Sequence, residues 1–463
     1  MAIFKIDYKN NHKIINVFGL KIKTNRSLYK KVNKLFERNK NFDCRKFDNQ
    51  IAQLTDKALE NYHFQKNEIN NNRIAILATL FYDMGGHTEC VKNVAKLLSD
   101  KYEIKTFLTS KDEAYFHAPT KIKLIEQCSK IDGINSVDDR ADSAKLIDMF
   151  EKINEFSPRV LFVYMNPDDC IVTALLYLLK KYTNIKIIYI NHASHYPVLG
   201  MSFADAIGNT SDSTFYVNKI YRGFDKNVYF NLIDDKKENI VDILEKEKQQ
   251  IKKDLDIING NYFTLSGASS YKFFEGEQSP YFEMIRELLK KELKLQHVVI
   301  THFNDKEQQI FDKIFKNCSE KSRLKVIDFT PEYSKIFQSC DLFIDSFPMA
   351  SAFTHVEIMK HKGVSVVKIN NKNALYSMHE YFPKDYKYMF SDVSKMEDGI
   401  IELLHNPKER KLVGETLYEH YLNNFEMSEA KKAFINIIEN SEHIEDFYVH
   451  LDENLKFNLE IEK

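Results

Sequence analysis

The sequence predicts an α/β fold in which two Rossmann-like domains face each other behind a small N-terminal appendage. Three observations lead there. The apolar run IAILATLF (74–81) passes into the turn DMGGHTE and then into CVKNVAKLLSD, which has helical spacing. The order of strand, small-residue turn and helix begins again at YFTLSGASSYKFFEG (262–276). At 463 residues the chain is too long for one ordinary core.

Residues 3–23 hold two strand-like runs, IFKIDY and KIINVFGLKIK, on either side of a polar NNH turn, and a Lys-rich helical stretch follows to about residue 66. Past IAILATLF the alternation continues through YEIKTFLT (102–109) and KIKLIE (121–126), read as strands, and a helix around 142–155. RVLFVYM (159–165), the apolar helix IVTALLYLLKKY and KIIYIN (186–191) come next, with STFYVN (213–218) closing the series. Continuously apolar strands between helices indicate a parallel sheet covered on both faces. The dense charge of residues 232–256 reads as an exposed linker helix. HVVITHF (297–303), KVIDFT (325–330), DLFIDSF (341–347) and GVSVVKI (363–369) supply the second sheet, and a helix near 426–441 precedes an acidic tail. The expected units are an appendage (1–70), a first Rossmann-like domain (71–231), a linker (232–258), a second Rossmann-like domain (259–425) and a C-terminal helix with tail (426–463).

Composition narrows the function classes. The 66 basic and 67 acidic residues nearly cancel, which gives no global attraction to nucleic acid. The six cysteines lack CxxC spacing, so neither a zinc knuckle nor a disulfide framework is expected, and reduced, buried thiols are. The N-terminus reaches lysine and asparagine too early for a signal-peptide apolar core, and no run approaches the roughly 20 apolar residues of a membrane span. A cytoplasmic protein is expected, with peripheral attachment to a membrane glycan-assembly complex left open.

Four constellations could carry chemistry. Asp83, Gly85, Gly86 and His87 follow the first strand, where ligands gather in parallel α/β sheets. Two glycines allow close backbone approach, and His87 stands where an imidazole could deprotonate an acceptor hydroxyl. The plainer reading is a tight turn with His87 as a surface cap. NHASHYPVLGMSFAD (191–205) places Asn191, His192 and His195 after another strand, as a polar wall of the same cleft or as a hydrogen-bonded structural pair. No HExxH pattern supports a metal there, and no metal site is expected anywhere.

The third constellation is the turn with Ser266, Gly267, Ser269, Ser270, Tyr271 and Lys272, where small residues, hydroxyls and one lysine suit a diphosphate. The fourth is IDSFPMASAFTHVEIMKHKGVSVV (344–367). Pro348 halts the strand, small residues including Ser351 form a turn, Thr354 at a helix start can donate to phosphate, and Glu357 one turn on can meet sugar or ribose hydroxyls. The alternative is an ordinary capped helix with Glu357 in solvent.

In this order and spacing the four pieces resemble the nucleotide-sugar glycosyltransferases of GT-B architecture, over about residues 73–425. The GGHT loop and the DSFP…T..E…GVSVV segment look like the branch of protein O-GlcNAc transferases, bacterial cytoplasmic N-glycosyltransferases and related capsule or lipopolysaccharide transferases. NHASHYPVLGMSFAD is similar to a block of its bacterial members. The resemblance implies His87 at the reacting centre, Lys272 at the donor diphosphate, and Thr354 and Glu357 on phosphate and ribose; His192 and His195 are alternatives for the acid–base work or groups that orient the acceptor. Tyr333 then falls beside the nucleotide base. The chain departs from the family at MASAF (349–353), where a glycine-containing or His/Asn-containing turn is common.

The resemblance implies transfer from a UDP-, GDP- or CDP-linked sugar to a glycan or protein and leans toward inversion, with retention left open; no DxD motif stands at a suitable strand end, so a metal-independent site without other cofactor is expected. A nucleotide-sugar epimerase of the same architecture, or a non-catalytic nucleotide- or glycan-binding subunit, are the competing readings.

Overall fold

The computed structural model describes residues 4–9, 12–17, 20–25, 32, 43–83, 86–136, 138, 140–230, 232–234, 243–330, 332–449 and 456–457. Gly85, much of the Lys-rich stretch before residue 43, part of the charged linker and most of the acidic tail lie outside them.

The N-terminal runs form three antiparallel strands: β1 (Phe4–Lys9), β2 (His12–Val17) and β3 (Leu20–Asn25). KIINVFGLKIK, read as one strand, is divided between β2 and β3. The helix Arg45–Ala58 follows and buries Phe47 and Ile51 in the first domain's core.

That domain is built on β4 (Asn70–Ala78), β5 (Glu103–Leu108), β6 (Lys130–Gly133), β7 (Pro158–Tyr164), β8 (Lys186–Ile190), β9 (Ala206–Asn209) and β10 (Asn227–Tyr229). They pair in parallel in the order β10-β9-β8-β7-β4-β5-β6. The second sheet contains β11 (Tyr262–Gly267), β12 (Leu295–Ile300), β13 (Leu324–Ile327), β14 (Leu342–Ile344), β15 (Ser365–Lys368) and β16 (Met389–Phe390). It is also parallel, in the order β13-β12-β11-β14-β15-β16. Ile74 to Ala78 in β4 and all of β12 are buried, as expected where helices cover both faces.

Two strand readings are corrected. KIKLIE is helical up to Ile125, in the helix Pro119–Ile125, with Glu126 as its C-cap. Its alternating Ile122 and Leu124 suggest period two, yet the buried pair is Ile122 and Ile125, three apart. Pro119 opens the helix, and the Asp83 carboxylate accepts the Thr120 and Lys121 amides at 3.0 and 2.9 Å. STFYVN is likewise helical, spanning Asp212–Tyr216 and running on into a π-helical turn, Val217–Tyr221. The short strands β6, β9, β10 and β16, none longer than four residues, had no counterpart in the sequence reading.

The C-terminal helix Met427–Glu439 returns to the first domain. Phe434 inserts between Phe230 (ring centroids 4.4 Å) and Phe162 (5.8 Å), beside Ile437 and Ile438. The chain crosses between domains at Asp234, which meets Lys360 Nζ at 2.9 Å and accepts from the Tyr421 hydroxyl at 2.8 Å. Both charged groups are buried, so removing the Asp234 carboxylate breaks a buried ion pair and leaves Lys360 the more distant Glu357, 4.0 Å away. Asp234→Ala is expected to cost about 3–5 kcal/mol of stability in urea unfolding, against less than about 1 kcal/mol for an exposed pair such as Lys321–Asp312.

Candidate active site

Both sheets reverse their strand order at one place, and there a crevice opens beyond the strand ends. In the first sheet β4 lies between β5 and β7; in the second, β11 lies between β12 and β14. The GGHT turn follows β4 and the Ser266–Lys272 turn follows β11, so both predicted loops stand at switch points. They line one interdomain cavity of about 550 Å³, within the range of small-molecule sites.

On the first domain's wall, His87 lies at the start of the helix Gly86–Leu98. Its Nε2 is 3.0 Å from the Tyr164 carbonyl at the end of β7. A carbonyl only accepts, so Nε2 carries the proton and Nδ1 keeps its lone pair. Desolvation holds the His87 pKa below the ordinary imidazole value. The His192 ring lies 4.5 Å from it, centroid to centroid, and its Nδ1 donates to the Ile190 carbonyl at 3.3 Å. His192 presents much of its surface to the cavity, yet desolvation and the neighbouring His87 also depress its pKa. His195 is driven down to about 4 by burial, then by the charge of Lys272 across the cleft and by Arg222. Its buried Nε2 has no hydrogen-bond partner among the described residues.

Asn191 is buried and donates to Asn209 Oδ1 at 3.0 Å. Asn209 and Asn218 both donate to Asn227 Oδ1 at 2.9 Å, making a buried amide cluster beneath the histidine loop. Asp83 borders the cavity while capping the helix at Pro119, and Gly86 lies against Phe353 of the opposite domain, 3.4 Å from where a Cβ would stand. Phe353, within MASAF (349–353), closes the wall opposite Gly86.

On the second wall, the two predicted donor turns are joined. Lys272 Nζ donates to the Ala350 carbonyl at 2.9 Å. Burial lowers the Lys272 pKa, and the Asp345 carboxylate acts in the opposite sense. Gly267, Ser269, Ser351 and Thr354 line the same cavity, and the amide of Ser351 donates to Asp345 at 3.2 Å. Asp345 is also 3.2 Å from His355 Nε2, both fully buried, which anchors the turn before the helix Ala352–Lys360. Pro348 is not among the lining residues; its carbonyl accepts from Asn370 at 3.0 Å behind the wall. Ser266 is likewise internal, donating to the Ile344 carbonyl at 2.5 Å.

Glu357 is buried rather than in solvent. Ser334 donates to its Oε1 at 2.7 Å, and His361 Nε2 is 3.3 Å away. Burial disfavours its charge, but His361, Lys360 and Ser334 outweigh that and lower its pKa. Tyr333, beside Ser334, also lines the cavity, which brings the two together.

Residues that sequence reading passed over include Thr210, Ser211, Ser213 and Thr214 on the lining. Ser213 N donates to Glu380 Oε1 at 3.1 Å, and Thr210 bonds the Tyr381 hydroxyl, so this segment also ties the domains together. The run NTSDST before an apolar segment was a helix-start signal that could have found it. Arg222, fully buried behind the histidine loop, carries no such signal. Among the described residues no group of three or more His, Cys, Asp or Glu side chains is arranged to hold a metal ion, and no helix is long and apolar enough to cross a membrane.

The sequence matches no protein-family profile and no curated protein. Solved structures do match. A glycosyltransferase from Rickettsia africae superimposes with a TM-score of 0.64 at 11% identity, over 81% of this chain and 100% of that one. HepE from Anabaena, in complex with UDP and glucose, gives 0.61 at 12% identity, over 79% and 99%. An O-GlcNAc transferase from Thermobaculum terrenum gives 0.56 at 9% identity, over 90% and 77%. At such identities the likeness is one of fold: this chain has the two-domain GT-B architecture of those structures.

Proposed function

We propose that the protein is a glycosyltransferase that moves a sugar from a nucleotide-sugar donor, held mainly by the second domain, to an acceptor bound against the first. The observation that carries this reading is the shared cavity. A neutral imidazole with a free lone pair lines one wall, and a half-buried lysine beside a helix N-terminus lines the other.

The chemistry follows from the two walls. The acceptor hydroxyl or amide attacks the anomeric carbon while His87 Nδ1 takes its proton. The bond from that carbon to the diphosphate oxygen breaks, and the leaving nucleoside diphosphate receives charge and hydrogen bonds from Lys272, Thr354 and the amides opening the helix Ala352–Lys360. No metal is assigned to this step. Glu357 and Tyr333 are proposed contacts for ribose and base. The capping role of Asp83 makes it a support of the acceptor wall, and His192 and His195 orient the acceptor. The fold is shared by a UDP-bound structure, which supports a nucleoside diphosphate as one product. A surface glycan is the acceptor class favoured by the sequence resemblance, and the site of action is then the cytoplasmic face of a membrane.

A thermal-shift screen of UDP-, GDP- and CDP-linked sugars tests the donor assignment, since a ligand of the native state raises the melting temperature with its concentration. Product formation only on addition of an acceptor separates transfer from epimerisation. His87→Ala is expected to lower turnover by roughly 100-fold or more with donor affinity nearly unchanged; unchanged turnover removes His87 from the chemistry. Lys272→Ala is expected to weaken nucleotide binding in calorimetry, and equal affinity removes it from the donor site. Because His87 is depressed, it is neutral above its folded pKa and protonated below. The acid limb of kcat/KM is therefore expected at a pH under the ordinary imidazole value of about 6.5, with a matching midpoint in histidine NMR titration.

A further inference from the structure

The loop carrying His192 and His195 has little regular structure of its own before the short turn Met201–Phe203. Its fastenings therefore decide where the imidazoles stand. Asn191 holds its beginning through the amide cluster. In the middle, the buried Arg222 donates to the carbonyls of Ser194 and Tyr196, at 2.9 and 2.7 Å, which bracket His195. At its end, the Asp48 carboxylate accepts from the Gly200 amide at 2.8 Å and from Ser202 Oγ at 2.5 Å. Gly200 has φ +86°, so the chain turns there in the left-handed region, and the carboxylate secures that turn.

Asp48 comes from the helix Arg45–Ala58, which precedes the first strand of the Rossmann-like sheet. It is 1% exposed, on a face whose other buried members include Phe47 and Ile51. An apolar residue would serve packing there, whereas a buried carboxylate is costly unless its hydrogen bonds are needed. Those bonds all go to the end of the histidine loop. Elsewhere the same helix is tied to the domain by Asp56, which takes bonds from Lys181 at 2.7 Å and Tyr177 at 2.6 Å at the surface and none from the loop, which it meets only through the Tyr177 ring, 5.4 Å from that of Phe203.

We propose that Asp48 is a positioning residue for His192 and His195, so that the N-terminal helix is a working part of the active site; this rests on the transferase reading above. Holding the loop through Gly200 and Ser202 keeps both rings in the cavity in the orientation an acceptor meets. Loss of the hold leaves the donor wall untouched, because Lys272 and the turn at Ala350 belong to the other domain.

The test compares Asp48→Asn with Asp56→Asn in the full chain. Asparagine keeps one acceptor for Gly200 and loses the one for Ser202. Asp48→Asn is expected to lower kcat about ten- to hundredfold, with donor KM and UDP affinity changed less than about threefold. Asp56→Asn, an anchor of the same helix, is expected to stay within about twofold of the parent in kcat. A kcat for Asp48→Asn no lower than that of Asp56→Asn overturns the proposal, as does a loss of UDP affinity in step with kcat. Should Asp48→Asn fail to fold, Ser202→Ala removes only its hydroxyl partner and carries the same expectations. If the parent chain turns over no sugar nucleotide, the transferase reading itself fails. The positioning role is then decided by the His192 and His195 ring signals in NMR: shifted by Asp48→Asn and not by Asp56→Asn supports it, and unshifted overturns it.

Discussion

The reversal of strand order in each parallel sheet is the constraint on which the rest of this structure depends. Beside β4 and again beside β11 the neighbouring connections leave in opposite directions, and the strand ends are left uncovered. An uncovered strand end offers carbonyls and helix amides that need partners, which is why the polar side chains of both domains collect there. Tyr164, whose carbonyl orients His87, ends β7; Lys272 and Asp345 follow β11 and β14. Facing two such crevices makes one shared cavity of them.

Holding the crevices face to face takes interactions that belong to neither sheet. The buried Asp234–Lys360 pair sits at the crossover, Ser213 and Thr210 bond to Glu380 and Tyr381, and Gly86 packs against Phe353. The helix Met427–Glu439 returns to the first domain through Phe434 and so resists separation of the two halves. The enclosed space then sets the electrostatics. Desolvation keeps the imidazoles neutral, and Lys272, whose pKa it also lowers, is opposed by the nearby carboxylate of Asp345. An imidazole and a lysine thus share one compartment, and that is the polarity on which the proposed transfer relies.

Much of the second domain's cavity wall was legible in the sequence. Small residues and a lysine after a buried strand, or a proline, small residues and a threonine before a helix, have local physical reasons to make anion-facing turns. Both turns form, and Lys272 bonds the second through Ala350. Legibility failed where side chains act at long range. Pro348 and Ser266 belong to the right turns and face away from the cavity, because orientation within a turn depends on what packs behind it. Asp83 looked like a cleft carboxylate and is engaged in capping a helix whose strand-like pattern concealed it.

By itself, the sequence determined the two α/β domains, the place of each loop at the end of a buried strand, and the residue types available there. These follow from apolar periodicity and turn chemistry, which act over a few residues. Only the tertiary structure decided which imidazole nitrogen keeps its lone pair, that Glu357 is held by Ser334 and His361, and that Asp48 and Arg222 fasten the histidine loop. Each of those is a meeting of groups far apart in the chain. The free energy that selects it comes from burial and hydrogen-bond satisfaction in the folded whole, and no local pattern encodes it.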